Sequence, residues 1–112
     1  MHIDSYTFGR IVIDGKTCTS DVIIFPERVV SPWWRRQGHL LQMEDLAGVI
    51  RERPEVLIIG KGFSGLMKVP QELMDELGSM GIEVIAEKTT RAVTIFNDYR
   101  GSHVAAAFHL SC

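Results

Sequence analysis

Three groups of residues in this sequence have types and spacings that chemistry could use. The first is Gly60-Lys61-Gly62-Phe63-Ser64-Gly65, which follows an apolar run and matches the glycine pattern of loops that carry a dinucleotide pyrophosphate. Glu87 stands 22 residues beyond Gly65, near the end of the next apolar run, where the ribose-binding acid of such sites falls. The pattern fails on a physical requirement. The last glycine must open a helix so that backbone N–H groups meet the pyrophosphate, yet residues 66–69 intervene before Pro70, the first residue suited to start one. A hairpin precedes the strand, and 112 residues leave little room for a dinucleotide and a substrate. Two readings remain: a flexible exit from a strand, or a cradle in which the loop amides and Lys61 hold a small anion at the carboxyl edge of a sheet.

The second group is Trp33-Trp34-Arg35-Arg36 with His39. Neighbouring aromatic and cationic residues can stack bases and neutralise phosphates, and Trp and Arg also dominate protein interface hot spots. The plainer alternative is one tryptophan anchoring a long loop on the core while the arginines reach solvent. The third group is His39, His103, His109 and Cys112, candidates for a metal or a nucleophile. On one strand His103 and His109 share a face, but six residues at about 3.3 Å each hold them roughly 20 Å apart, too far to bind one ion. Cys18 lacks a signature of activation, and Glu44-Asp45 and Asp75-Glu76 are adjacent acids that cannot face one another on a helix. The residues therefore assemble no catalytic set, no metal site and no cofactor site.

The elements that must position these groups follow from periodicity. Residues 6–25 read as β structure, with Asp14-Gly15 as a two-residue hairpin turn. The apolar phase slips between Phe8 and Ile11, and Gly9 at the slip suggests a bulge that curls the strand. Residues 26–41 lack periodicity and form a long connection, a feature of functional or covering loops. A helix burying Leu46, Val49 and Ile50 follows, stopped by Pro54. Residues 54–60 make a strand buried on both faces, Pro70 starts a second helix that Gly81 caps, and residues 82–86 make another strand. Thr89 or Thr90 caps a third helix ended by Gly101, and residues 104–110 form a last strand whose Ala105-Ala106-Ala107 suits a central position between two close layers. The alternation after residue 43 predicts a mostly parallel sheet with flanking helices, and an N-terminal hairpin beside it. No repeat or linker divides the chain, so residues 1–112 read as one domain.

Twelve basic against fourteen acidic residues give a net charge of −2, which supplies no field for nucleic acid. The longest apolar runs fall far short of the roughly 18 residues of a membrane span. No basic region leads into an apolar one near the N-terminus, and two cysteines in such a chain read as reduced thiols, so a cytoplasmic location is expected.

In order along the chain run Tyr6-x-Phe8-Gly9-x-Ile11-x-Ile13-Asp14-Gly15, Asp21-Val22-Ile23-Ile24-Phe25, Trp34-Arg35-Arg36-x-Gly38-His39, Asp45-Leu46, Ile58-Ile59-Gly60-x-Gly62, Gly81-Ile82-Glu83-Val84, Thr90-x-Ala92-x-x-x-Phe96-Asn97 and Val104-Ala105-Ala106-Ala107. Together these pieces resemble the adipogenesis-associated "Mth" domain family, which includes the mitochondrial complex I assembly factor three family. Two departures are Lys61, in place of a small hydroxyl residue, and Phe96, in place of Tyr before Asn97. The resemblance implies a three-layer α/β domain with a central mixed sheet, flanking helices and a β-hairpin layer. It also implies a role in complex assembly or differentiation, with no established catalysis.

Two function classes follow. One is a non-enzymatic interaction or assembly-accessory domain, monomer or homodimer, that meets a protein partner through the 26–39 loop and the 60–65 loop. The other is a binder of a small ligand or anion, such as a nucleotide or phosphate, through the 60–65 loop, with a cryptic enzyme as its extension. The residues that would carry either are Trp34, Arg35, Arg36, His39, Gly60, Lys61, Gly62 and Gly65.

Overall fold

The computed structural model describes residues 1–101 and 103–112. Three strands come first: β1 (Ile3–Thr7), β2 (Arg10–Ile13) and β3 (Lys16–Cys18) form an antiparallel sheet in that order. At Asp14-Gly15 both residues have positive φ, 47° and 81°, as the expected two-residue turn requires. Gly9, with φ 74°, is not a bulge inside one strand. It belongs to a second tight turn that sets Thr7 opposite Arg10, so the expected hairpin is a three-stranded meander. A two-residue reversal and a bulge leave the same one-residue slip in an apolar pattern, and only the pairing separates them. The register irregularity lies instead between Ile3 and Ser5.

The second sheet has five strands in the order β5-β4-β8-β6-β7. These are β4 (Val22–Ile24), β5 (Val29–Val30), β6 (Val56–Lys61), β7 (Glu83–Glu87) and β8 (Val104–His109). β6 runs parallel to β7 and β8, while β4 runs antiparallel to β5 and β8. The 26–41 connection is therefore partly strand, because Val29 and Val30 return to pair with β4. A 3₁₀ turn (Met43–Leu46) leads into α1 (Ala47–Glu52), and α2 (Gln71–Ser79) and α3 (Thr89–Asp98) make the two crossovers. Pro70 sits at the cap position of α2, Gly81 (φ 85°) follows its end, and Tyr99 rather than Gly101 closes α3.

Alternation along the strands builds two cores, one on each face. Leu57, Ile59, Ala105 and Ala107 pack with Val49, Leu73 and Leu77 from α1 and α2. Val56, Ile58, Ala106 and Phe108 pack with Ala92 of α3 and with Ile3, Ile11 and Ile13 of the small sheet. The result is three layers: α1 and α2, the five-stranded sheet, then α3 with the meander. β8 is central, as its three alanines predict, and all three are fully buried.

Candidate functional site

The carboxyl ends of β6 and β7 face the place where a doubly wound sheet opens a ligand crevice, since α2 leaves across one face and α3 across the other. Here the crevice is filled by the protein. The Gly62 N–H donates to Thr89 Oγ1 at 2.8 Å, and that hydroxyl donates to the His109 carbonyl at 2.6 Å. The Thr89 N–H at the start of α3 donates to the Gly62 carbonyl. Thr89 does not cap its helix, as its sequence position suggests, because its hydroxyl is used to tie three elements together; Lys88 holds the cap position.

Four more of the loop amides are occupied within the protein. Phe63 N–H donates to the Ser111 carbonyl, Leu66 N–H to that of Cys112, Met67 N–H to that of Lys61 and Gly65 N–H to that of Gly62. A side chain on Gly62 would run into Cys112, and a Cβ on Gly60 would lie 2.7 Å from Thr89 Oγ1 and 2.8 Å from the Phe108 ring. Gly60 and Gly62 are thus buried for close packing, and most of the loop amides are already used within the protein. Lys61 is half-buried and lies opposite His109 in the β6–β8 register.

The polar centre of the edge is one that the sequence did not reveal: Asp21, Arg35 and His109. Asp21 Oδ2 lies 2.8 Å from Arg35 Nη1 and 2.8 Å from His109 Nδ1, and Oδ1 accepts from the Leu110 N–H at 2.8 Å. Burial alone would raise the Asp21 carboxyl, but the His109 hydrogen bond, the Leu110 amide and Arg35 outweigh it and hold it below the ordinary carboxylate range. An ionised carboxylate only accepts, which puts the imidazole proton on Nδ1. Arg35 Nη2, 3.1 Å from that nitrogen, then donates to the Gly38 carbonyl at 2.9 Å. Arg35 also lies over the Trp33 ring, 4.7 Å from its centroid.

Arg35 therefore does not reach solvent; its side chain is 5% exposed, and that of His109 is 8% exposed at what looks in the sequence like a loose terminus. Asp21 escapes a sequence reading because its partners lie 14 and 88 residues away, and one acid before an apolar run carries no motif.

The remaining candidates spread over the surface around this centre. Trp33 is buried and its indole N–H donates to the Asp45 carbonyl, while Trp34 beside it is 81% exposed. Arg36 is exposed, with its backbone N–H on Asp45 Oδ1. His39 is exposed, its ring centroid 5.8 Å from that of His109, and its carbonyl accepts from the Lys68 N–H, which joins the 26–39 loop to the end of the glycine loop. Gly65 is half-buried, and a Cβ there would meet the Lys88 side chain. Phe63 is half-exposed and packs edge-on to Phe8 at 5.9 Å. Among the described residues no three His, Cys, Asp or Glu side chains are placed to hold a metal, both cysteines are free, and no helix is long and apolar enough to cross a membrane.

Fold and site together define a small three-layer α/β domain whose sheet edge is closed by a buried Asp-His-Arg centre. The chain belongs to a family described as a protein of unknown function (DUF498/DUF598), whose model matches residues 3–109. It is similar to the crystal structure of a conserved hypothetical protein from Pyrococcus horikoshii, at 27% identity, with 100% of both chains covered and a TM-score of 0.81. It is also similar to a Bartonella henselae structure described as an outer membrane protein, at 27% identity, with 98% of this chain and 94% of the other covered and a TM-score of 0.79. A Bordetella pertussis solution structure described as a Mth938-like domain shares the fold at 20% identity, covering 97% of this chain and 85% of the other, with a TM-score of 0.74.

Proposed function

We propose that the chain is a protein-interaction domain of the cytoplasm that serves as an accessory in the assembly of larger complexes, not as an enzyme. Its contact surface is the edge around Trp34, Arg36, His39 and Lys61. The observation that carries this reading is the contrast between Trp34, 81% exposed, and its two fixed neighbours, the buried Trp33 and the ion-paired Arg35. An indole held in water on a rigid base keeps its hydrophobic free energy for a contact and loses little conformational entropy when one forms. The resemblance to the adipogenesis-associated family supports the assembly role.

The test is affinity capture from a lysate of the native cell with wild type and Trp34→Ala. The variant should keep the wild-type melting temperature, because Trp34 buries little, and should lose the wild-type partner. A partner captured equally by both would overturn the reading. Arg35→Ala is unsuitable here, since it would leave Asp21 without its cation and confound binding with stability.

A further inference from the structure

Three consecutive carbonyls gather three exposed apolar side chains at one end of the molecule. Leu110 accepts the Gly9 N–H at 2.9 Å, Ser111 accepts the Phe63 N–H at 2.7 Å, and Cys112 accepts the Leu66 N–H at 3.1 Å. Phe8, next to Gly9, meets Phe63 at 5.9 Å, and Phe8, Phe63 and Leu66 are each about half-exposed. The β1–β2 turn and the glycine loop thus raise three large hydrophobic groups from one shared base. Single exposed hydrophobics are ordinary, but a group of them marks a surface that something covers.

The charge around this group is positive. Arg10 leaves the same turn as Phe8, Lys68 leaves the glycine loop, and Lys88 and Arg91 stand at the start of α3. All four are exposed, and none forms an ion pair among the described residues. The Lys88 stem runs beside Gly65, where a Cβ would lie 3.0 Å from it, next to Leu66 in the chain. Glu87 is the exposed acid beside them, whereas Glu72 lines a separate groove with Glu44 and Glu76. In a chain of net charge −2, this end is locally basic and the remainder correspondingly more acidic.

Shape and chemistry select the occupant. A peptide segment seats in a groove, but these side chains project from loops and line none of the grooves of 250, 290, 340, 350 and 460 Å³ among the described residues. A nucleic acid strand stacks on open aromatic faces. Here Phe8 and Phe63 pack edge-on against each other, Tyr6 tilts towards Phe63 at 6.4 Å, and Leu66 has no ring. A fluid bilayer interface needs no matching shape: it takes in separate apolar tips while the flanking bases meet lipid phosphates.

We propose that this end of the molecule docks on an anionic lipid surface. Phe8, Phe63 and Leu66 enter the boundary between headgroups and acyl chains, and Arg10, Lys68, Lys88 and Arg91 meet the phosphates above it. The cytoplasmic leaflet, which carries anionic lipid, is the face that a protein of the cytoplasm meets. This goes beyond the protein contact proposed at Trp34 and does not depend on it.

The experiment is co-sedimentation of the full chain with vesicles of phosphatidylcholine alone and with vesicles in which roughly a third of the lipid is phosphatidylglycerol, at about 0.1 M and about 0.5 M salt. Wild type should bind the anionic vesicles at low salt, release them at high salt and leave the neutral vesicles unbound. Lys88→Glu and Leu66→Ser should each weaken binding about tenfold, the first through charge and the second through insertion. Both change exposed side chains and should keep the wild-type melting temperature; Arg10→Glu repeats the charge test on a second element. Polyglutamate and oligothymidylate are titrated in parallel. Binding to neither vesicle, equal binding to both, or anionic binding indifferent to Lys88→Glu and Arg10→Glu overturns the proposal. Anionic binding that Leu66→Ser leaves unchanged overturns the insertion of apolar tips, and tighter binding of polyglutamate or oligothymidylate than of vesicles gives the surface to an acidic protein segment or a single strand instead. Failure on vesicles leaves the Trp34 capture experiment standing, and failure of that capture leaves the vesicle result standing.

Discussion

Asp21 is the residue on which most of the edge depends. One carboxylate receives Arg35, His109 and the Leu110 amide, while its own carbonyl accepts the Trp33 N–H, so the start of β4, the Trp-Arg loop and the end of β8 meet on one side chain and its backbone. Removing a single partner from a buried pair leaves the other charge uncompensated. Asp21→Asn should therefore lower the unfolding free energy by roughly 3 kcal/mol, measured by urea denaturation at neutral pH. Because the folded carboxyl is held below its ordinary value, its stabilisation is fully present above an unfolded-state value of about 3.9 and is lost as pH falls through the lower folded value. Wild type should lose stability across that acid window more steeply than Asp21→Asn. Equal slopes would mean that Asp21 is not the titrating group.

Tyr6 runs the other way in pH. Its phenol donates to the Leu110 carbonyl at 2.6 Å, and burial, with the Asp21 charge adding to it, raises it to about 12. The unfolded chain releases this proton near 10 while the folded chain keeps it, so stability should fall between about pH 10 and pH 12. Tyr6→Phe should remove that alkaline slope at a neutral-pH cost of about 1 kcal/mol. The cost stays small because the Leu110 carbonyl keeps the Gly9 N–H.

Among the elements, those whose apolar spacing has one structural solution were legible in the sequence. Residues 56–59 could only be a strand buried on both faces, and the three alanines of β8 could only suit a strand between two close layers. The Gly9 turn was not legible, because a reversal and a bulge shift the pattern alike. Nor was β5, since two valines have no period. The candidate site divides in the same way. Trp34 and the glycine loop stand out as types in a row, but the work of Arg35 and His109 depends on a carboxylate placed next to them only by folding.

The glycines separate close packing from chain freedom. Gly60→Ala forces a Cβ against Thr89 Oγ1 and the Phe108 ring at the junction of β6, α3 and β8, and should destabilise by about 1–3 kcal/mol. Gly78→Ala, in α2 with nothing within 4 Å of the new Cβ, should stabilise by about 0.5–1 kcal/mol. Thermal denaturation of the pair checks both signs. A neutral Gly60→Ala would mean that the edge has more room than its contacts indicate.

At the scale of the whole molecule, the meander is held to the larger sheet in two ways, and their roles can be separated. Ile3, Ile11 and Ile13 contribute apolar burial against Ala92 and Phe108. The polar attachments are the Tyr6 hydroxyl and the Gly9 N–H, which both donate to the Leu110 carbonyl, and one amide side chain: Asn97 of α3 accepts the Ile3 N–H at 2.9 Å and donates to the Ile3 carbonyl at 2.8 Å, as a neighbouring strand would. Among the described residues no strand pairing links the two sheets, so this amide is the substitute that satisfies both polar groups of Ile3 beyond the edge of the meander. Asn97→Ala leaves both unpaired at a partly buried position, which should cost about 1–3 kcal/mol. Hydrophobic contacts are not directional, so the meander should stay docked while its first strand loosens. Amide hydrogen exchange should therefore speed up at Ile3 and its neighbours in β1, while β6 and β8 keep their wild-type protection. Uniform loss across both sheets would show instead that meander and five-stranded sheet unfold as one cooperative unit, with Asn97 acting on global stability and not on the hold of a single strand.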